Sequence, residues 1–496
     1  MEIAVKEVPM RKIKSRCGLR TQNLVATGLL AAALAVTSVT LARAQGAAEG
    51  DVVLPQARHD AAKELAMKIT EPFTFATVGD IMIRRPVGQL GDAGFQALTK
   101  VMRAADSTYA NMEGPIIDES DPNYHGPGPV VGGSKTIIDD LKAMGIRVMT
   151  TANNHTMDGG NEGMLRTNRL LDAARITHAG SGKDLTEARQ AQVGITPKGT
   201  IGVVGMYSID PSSNRSSRYY DARDKWPGLN PLHVTPYNIV TAEQIGSLRK
   251  IRDASYAHRS EVTVPVAPVP ANEKPDELLL FGSRYKVGEN VGSLTYTIDR
   301  SDLDGIMRSI RVGKQNSDFM VVAIHAHQNS FSYQAYSHDN STPDFLIELA
   351  HKAIDNGADV FVGHGIHTLR GVEIYKGKPI FYGVASFVQH EGPAIEVTDP
   401  SRAPVVQQSR EPDNKEVLLT TSRYEGGKLV EVRLYPVDCG IDGTRPVSKA
   451  GLPMTPSPEQ AHRILKHVQE LSKPFGTAIS IEDNVGVIHV AQSRTD

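Results

Sequence analysis

The chain has 496 residues, 40% of them hydrophobic and 22% charged, enough for one large domain or roughly two or three smaller ones with packed cores. A net charge of −2 leaves no basic surplus, so no nucleic acid is expected as a partner. The two cysteines, Cys17 and Cys439, are too few and too far apart for a disulfide framework, so any metal site has to be built from nitrogen and oxygen ligands.

At the N-terminus, Arg11, Lys12, Lys14, Arg16 and Arg20 precede an apolar stretch over residues 24–42, which ends in Ala42-Arg43-Ala44. Basic region, apolar run and small-residue site, in that order, predict a secretory signal over 1–44 with cleavage after Ala44. An uncleaved signal anchor is the rival, because the run approaches the roughly 20 residues that span a bilayer. Thr27, Gly28, Thr37, Ser38 and Thr40 dilute the run and favour cleavage. Either way the body of the protein is expected outside the cytoplasm, in the periplasm or on the outer face of the cytoplasmic membrane.

Residues 45–72 are expected to be a linker with a short helix. A strand is predicted at 73–78, followed by Gly79-Asp80, and a helix at 93–104, where Phe95, Leu98, Val101 and Met102 recur at helical spacing. A strand at 107–110 leads to Asn111-Met112-Glu113. A helix at 136–144 and a strand at 146–149 lead to Asn153-Asn154-His155, and a helix at 164–174 and a strand at 201–207 follow. The rhythm then stops. Residues 209–292, with Ser212 to Ser217, the sole tryptophan Trp226 and a Val-Pro run at 264–270, read as an irregular insertion: a lid, a partner surface or an idle loop. The pattern resumes at 293–440 with a helix at 302–312, a strand at 319–324 ending in His325-Ala326-His327, a helix at 343–356 and a strand at 360–362 ending in Gly363-His364. A further strand is predicted at 379–384 after a Lys376-Gly377-Lys378 turn, then a hairpin at 417–435 turning at 425–428. Residues 441–496 form a C-terminal extension with an amphipathic helix at 457–472.

Strands alternating with helices predict a layered α/β domain. In such sheets the carboxyl ends of the strands line the binding crevice, so polar residues that follow short apolar runs can converge from distant parts of the chain. Five runs end this way, delivering Asp80, Glu113, Asn154 with His155, His325, and His364 with His367. Carboxylate, amide oxygen and imidazole suit Mn, Fe, Zn or Mg. A carboxylate able to bridge, with histidines on both sides, is what two ions need to lower the pKa of a water and clamp the oxygens of a phosphoryl transfer. His178, His233, His258, His338, His351 and His390 lack the strand-end context and are expected to be ordinary structural or surface histidines.

The stretches FATVGDI (75–81), ANMEGP (110–115), TANNHTMD (151–158), the histidines at 363–367 and the block 372–387 resemble the CapA capsule-synthesis family. That family is linked to poly-γ-glutamate and belongs to the calcineurin-like metallophosphoesterase superfamily. The resemblance implies an α/β/β/α sandwich of metallophosphoesterase type, here with an inserted irregular segment. It also implies two divalent ions: Asp80 and His367 on one, Asn154, His325 and His364 on the other, Glu113 bridging, and His155 beside the leaving group as acid or donor. The chain departs from the family in three places. His325-Ala326-His327-Gln328 replaces His-Trp-Gly-x-Glu, so His327 either substitutes as a ligand or faces solvent. His364-Gly365-Ile366-His367 replaces His-His-Pro-His. Met82 stands where the superfamily has a histidine two residues after the aspartate.

The first functional expectation is an exported hydrolase of capsule or poly-γ-glutamate synthesis or processing, using metal-activated water on an anionic polymer or phosphoester. The second is a non-catalytic scaffold of polymer assembly or export at the membrane, working with membrane-bound synthesis proteins. A periplasmic nucleotidase, with Trp226, Tyr219 and Tyr220 as a base clamp, is the third.

Overall fold

A computed structural model describes residues 61–84, 86–87, 91–117, 132–209, 220–261, 273–331, 339–390, 416–440, 445 and 449–490. The apolar run 24–42, Tyr219, His338 and the Val-Pro run lie outside them. Among the described residues no helix is long and apolar enough to cross a membrane.

The strand Phe319–His325 shows how the layers are set. Its residues are all buried, yet they divide by parity: Phe319, Val321 and Ala323 belong to one apolar core, Met320, Val322 and Ile324 to another. Successive side chains of a strand point to opposite faces, so a strand buried on both faces reads as one continuous apolar run. On the first face a second sheet packs: the ring of Phe319 lies 5.2 Å from that of Phe73, 4.9 Å from Phe75 and 5.3 Å from Tyr424. On the other face lie the helices Arg300–Gln315 and Asp344–Asp355, which bury Ile306, Ile310, Phe345, Leu346 and Leu349.

The first sheet carries the parallel strands Thr177–Ala179, Ile146–Thr150, Ser107–Met112 and Phe73–Met82, then the antiparallel hairpin Glu416–Glu425/Lys428–Asp438. The helix Ala93–Ala104 covers its outer face through Phe95, Leu98 and Met102. In the second sheet Gly199–Ile209, Phe319–His325 and Val360–His364 run parallel at the centre. The result is helix, sheet, sheet, helix, the layered α/β architecture the alternating pattern predicts.

The inserted segment is more regular than its serine and proline content suggests. Pro231–Val240 pairs with Gly199–Ile209 and, with Leu294–Ile298, Ser283–Val287 and Glu277–Leu280, extends the second sheet. The helix Ala242–Glu261 packs there through Ile245 against Leu278 and Leu280. Residues just ahead of the first strand are also tied in: Met67 and Ile69 are buried, and Lys68 Nζ caps the end of the helix Arg300–Gln315 by donating to the carbonyls of Lys314, Gln315 and Ser317.

His233 fastens this edge. Its Nδ1 lies 2.5 Å from Asp302 Oδ2 and its Nε2 3.2 Å from Asp221 Oδ2, while Arg189 holds the other oxygen of Asp302. Hydrogen bonds to Asp221 and then Asp302 push the imidazole from 6.5 up to about 10. A raised value means the clamp contributes fully below 6.5 and is lost as pH climbs through about 10. Melting temperature is therefore expected to fall across that window, and His233→Gln to flatten the fall. An equal slope in the variant would show that the clamp does not contribute. The half-exposed imidazole keeps the effect modest.

Candidate metal centre

Two rows of residues meet at the carboxyl ends of the sheets. In the first sheet, register aligns Ser386, Asp80, Asn111 and Thr150 across four parallel strands. In the second it aligns Tyr207, His325 and His364 across three. Because the sheets pack face to face, the rows confront each other, and most of the polar residues in them are fully buried.

Asp80 lies within the strand Phe73–Met82, not beyond its end. Pairing with the hairpin stops at Thr77, the register slips between Thr77 and Asp80, and residues 80–82 pair instead with Ser386–Gln389. Such an irregularity re-aims a side chain. Gly79 permits it: a Cβ there would stand 1.8 Å from the carbonyl oxygen of Ala385, to which the Asp80 N–H donates at 3.3 Å. Gly365, at φ 103°, turns its N–H onto Asp80 Oδ2 at 3.0 Å.

Around Asp80 stand His364 Nδ1 at 3.1 Å and His325 Nδ1 at 3.5 Å from Oδ1, and His367 Nδ1 at 3.8 Å from Oδ2. Glu113 Oε1 lies 3.9 Å from His325 Nε2 and 4.0 Å from His367 Nε2. Two groups of ligand atoms are within reach of one another: Asp80 with His325 and His364, and Asp80 with Glu113 and His367. In this arrangement Asp80 is the carboxylate both groups share, whereas the resemblance implies that Glu113 alone bridges.

Supporting hydrogen bonds fix the ligands. Asn111 Nδ2 donates to Asp80 Oδ1 at 2.8 Å, and Thr150 Oγ1 donates to Asn111 Oδ1 at 3.0 Å. The Tyr109 hydroxyl lies 2.6 Å from Thr150 Oγ1 and 3.1 Å from His364 Nε2, leaving His364 Nδ1 for the centre. Ser386 Oγ is 2.6 Å from His367 Nδ1 and leaves Nε2 on the Glu113 side. Asn153 Nδ2 donates to the Met112 carbonyl at 2.7 Å and so ties the Asn-Asn-His turn to the segment that carries Glu113.

Asn154 and His155 sit on that turn, and His155 belongs to neither group. The side-chain oxygen of Asn154 is buried without a hydrogen-bond partner. His155 Nδ1 lies 2.8 Å from Asp158 Oδ2, which leaves Nε2 for a ligand or substrate.

The electrostatics favour a cation. Burial alone would raise the Asp80 carboxyl, but the His364 imidazole and hydrogen bonds from His325 and His364 hold it well below the usual carboxylate range. Burial, then the charges of Asp80 and Asp158, push Glu113 well above its usual range. Burial lowers His325 from 6.5 to about 4, so it is neutral and able to ligate at neutral pH. Both Glu113 oxygens are buried with no hydrogen-bond partner, a costly state that a cation relieves. Oxygen and imidazole donors of this kind fit a divalent ion of the Mn, Fe, Zn or Mg type.

Of the histidines without the strand-end context, His178 pairs with Asp172, His351 with Glu373 and His233 with two aspartates. Tyr220 packs against the cluster of Ala152, Met157, Met164, Tyr207 and Leu229, while Trp226 is 54% exposed on a tight turn. The two therefore play different roles, one in a core and one on the surface.

Residues 74–391, a span that contains every ligand above, match the family described as bacterial capsule synthesis protein PGA_cap. The chain belongs to this family. It is 35% identical over 470 residues to the uncharacterized protein y4sH of Sinorhizobium fredii, covering 87% of this chain and 96% of that one. More distantly, it is 24% identical over 321 residues to the PGA biosynthesis protein CapA of Bacillus subtilis, covering 64% of this chain and 63% of that protein. Against the capsule biosynthesis protein CapA of Bacillus anthracis the identity is 23% over 342 residues, covering 68% and 64% respectively.

Sequence reading singles out Asp80, Glu113, His325, His364 and His367, which the structure brings together, but not Asn111, Tyr109, Thr150, Ser386 and Asp158, which lie in hydrogen-bond contact around them or around His155. Two signals were available. Asn111 and Glu113 alternate along one extended segment, and Asp158 stands one helical turn after His155.

Proposed function

We propose that this protein is an exported, divalent-metal-dependent hydrolase that processes an anionic polymer, of the poly-γ-glutamate kind, or a phosphoester precursor of the capsule. The observation that carries the reading is Glu113: a fully buried carboxylate with no hydrogen-bond partner on either oxygen, set between His325 and His367 and close to Asp80. Asp80, His325, His364, Glu113 and His367 would hold two ions, with Asn154 supplying an uncharged oxygen. Bound there, divalent cations supply an activated water and charge stabilisation at the scissile bond.

The chain's own residues do the rest. Tyr109, Asn111 and Ser386 fix the rotamers and ring faces of the ligands. Asp158 accepts from His155 Nδ1 and orients the ring, so that Nε2 is the atom placed to pass a proton to the leaving oxygen or nitrogen. The buried walls around Asp80 and Glu113 exclude bulk water and strengthen each charge interaction. Export and contact with membrane-bound synthesis proteins belong to the same proposal, supported by the order of features in residues 1–44 and by the capsule-synthesis family.

A second reading, a polymer-binding scaffold without turnover, is favoured by Met82, which stands buried two residues after Asp80. One experiment separates the two. Metal content of the full chain is measured by mass spectrometry, alongside assays on a chromogenic phosphodiester and on poly-γ-glutamate. Stoichiometric metal, with turnover lost in His155→Ala, supports the hydrolase. Absence of turnover after reconstitution with Mn or Zn moves the assignment to the scaffold.

A further inference from the structure

We propose that His327 is an additional ligand of the metal centre, bringing a nitrogen that shifts its preference toward zinc-like cations. The inference rests on the metal-centre reading above and extends it to a residue outside the ligand set already described.

The local backbone places His327 there. The strand Phe319–His325 ends at His325, but the Ala326 N–H still donates to the His364 carbonyl at 2.9 Å, so the extended conformation runs on. Alternation then puts residues 325 and 327 on the same side and Ala326 on the other. Ala326 accordingly joins the apolar core under the helices. His327 is 5% exposed, a degree of burial that an imidazole facing solvent would not have.

His327 belongs to neither group of converging ligands, yet it touches a member of each. Its Nε2 lies 3.0 Å from His325 Nε2, with the rings 4.9 Å apart. Its ring stands 5.7 Å from that of His367, at 82°. The 3.0 Å contact is a hydrogen-bond separation, and together with the ring contact to His367 it brings the His327 imidazole to the edge of the centre.

The donor count also points to His327. The group of Asp80, Glu113 and His367 contains two carboxylates but one imidazole. Met82, two residues after Asp80, offers only a weak thioether. An imidazole from His327 would complete four donors and make the set richer in nitrogen. Nitrogen ligands suit Zn, Co and Fe, whereas Mg keeps to oxygen.

The test uses the full chain and three variants: His327→Gln, His327→Gly and His327→Cys. Metal stoichiometry is read by mass spectrometry, affinity by chelator competition with Co(II) and Zn(II), and coordination by the absorption spectrum of the Co(II) form. The expected result is that His327→Gln and His327→Gly lose at least about tenfold in affinity for one ion and less for Mg(II) than for Zn(II). A histidine that only orients His325 could also cost tenfold, so the cysteine variant is decisive. With Co(II) it is expected to show a near-ultraviolet thiolate-to-metal charge-transfer band, which arises only when the sulfur binds the ion.

Co(II) bound to folded His327→Cys without that band, or unchanged affinities in both other variants, would overturn the assignment while leaving the centre itself intact. A wild-type chain that takes up no ion would overturn the centre and this inference together. Should the cysteine variant fail to fold, loss of imidazole scattering between wild type and His327→Gln in X-ray absorption gives the same answer, and equal spectra would refute the assignment.

Discussion

Replacing Glu113 by alanine is expected to remove stoichiometric divalent metal from the protein, while alanine at His178 leaves it bound. Glu113 is the buried carboxylate whose two oxygens have no hydrogen-bond partner, whereas His178 sits away from the centre and pairs with Asp172. A direct ligand should cost more than the roughly 10- to 100-fold that a supporting group costs. Glu113→Gln keeps the shape and removes the charge, so it should fail for the same reason. The pH dependence provides a second check. Because burial and the charges of Asp80 and Asp158 hold the Glu113 carboxyl high, an incoming cation has to displace its proton. Affinity in the wild type should therefore strengthen as pH rises, and whatever affinity remains in Glu113→Gln should rise less steeply. Chelator-competition titrations over a pH series measure both effects. Equal metal content in the Glu113→Ala and His178→Ala proteins would remove Glu113 from the ligand set.

The candidate ligands are legible in the sequence because a buried parallel strand is a short apolar run, and a polar group just after it has few places to go except the sheet's carboxyl edge. Phe319–Ile324 before His325, and Val360–Val362 before Gly363-His364, are of this kind, and the structure has strands there. The resemblance supplied what the runs could not, namely the pairing of residues from distant segments into one centre. What stayed hidden depends on contacts across the two sheets. Nothing local to Asn111 says that its amide bridges Asp80 and Thr150, because that follows from the register of three strands. The placing of Asp80 within a strand was equally invisible. Gly79-Asp80 reads as a turn, and only the close approach of Ala385 turns it into a slip of register.

The inserted segment shows a different limit. Pro231–Val240 contains prolines at 231 and 236, and Ala242–Glu261 carries charge on most of its turns, so neither shows the apolar period that marks a core element. Both fold at the margin of the second sheet, where a few residues such as Leu232, Val234 and Ile245 suffice to dock them. Sparse burial is the physical reason the segment read as irregular.

Asp359→Ala is expected to destabilise the protein by about 3–5 kcal/mol, the usual cost of removing one partner from a buried ion pair. Asp359 and Lys314 are both completely buried, with Lys314 Nζ 2.6 Å from Asp359 Oδ2, and Lys378 Nζ donates to the other carboxylate oxygen. The same carboxylate accepts from the Met320 N–H at 2.8 Å, and the Asp359 carbonyl accepts from the Tyr424 hydroxyl at 3.2 Å. The residue thus joins the two central strands of the second sheet, the helix Arg300–Gln315 and the hairpin of the first sheet. Without it, Lys314 is a buried cation with no carboxylate to compensate it, and burial already lowers its pKa. Adding Lys314→Met to Asp359→Ala removes that charge and should restore much of the loss, the reverse of what two independent destabilising changes would do. Asp359 immediately precedes the strand Val360–His364 and His364 ends it, five residues and about 16 Å apart at the usual rise of about 3.3 Å per residue. Metal affinity of the folded variant should therefore match the wild type. Urea unfolding of the metal-free single and double variants, with a metal titration of each at low denaturant, tests both halves. If Asp359→Ala unfolds at the wild-type midpoint, the ion cluster does not hold the sheets together; if it loses metal while still folded, the base of the strand and its ligand-bearing end are coupled through the sheet.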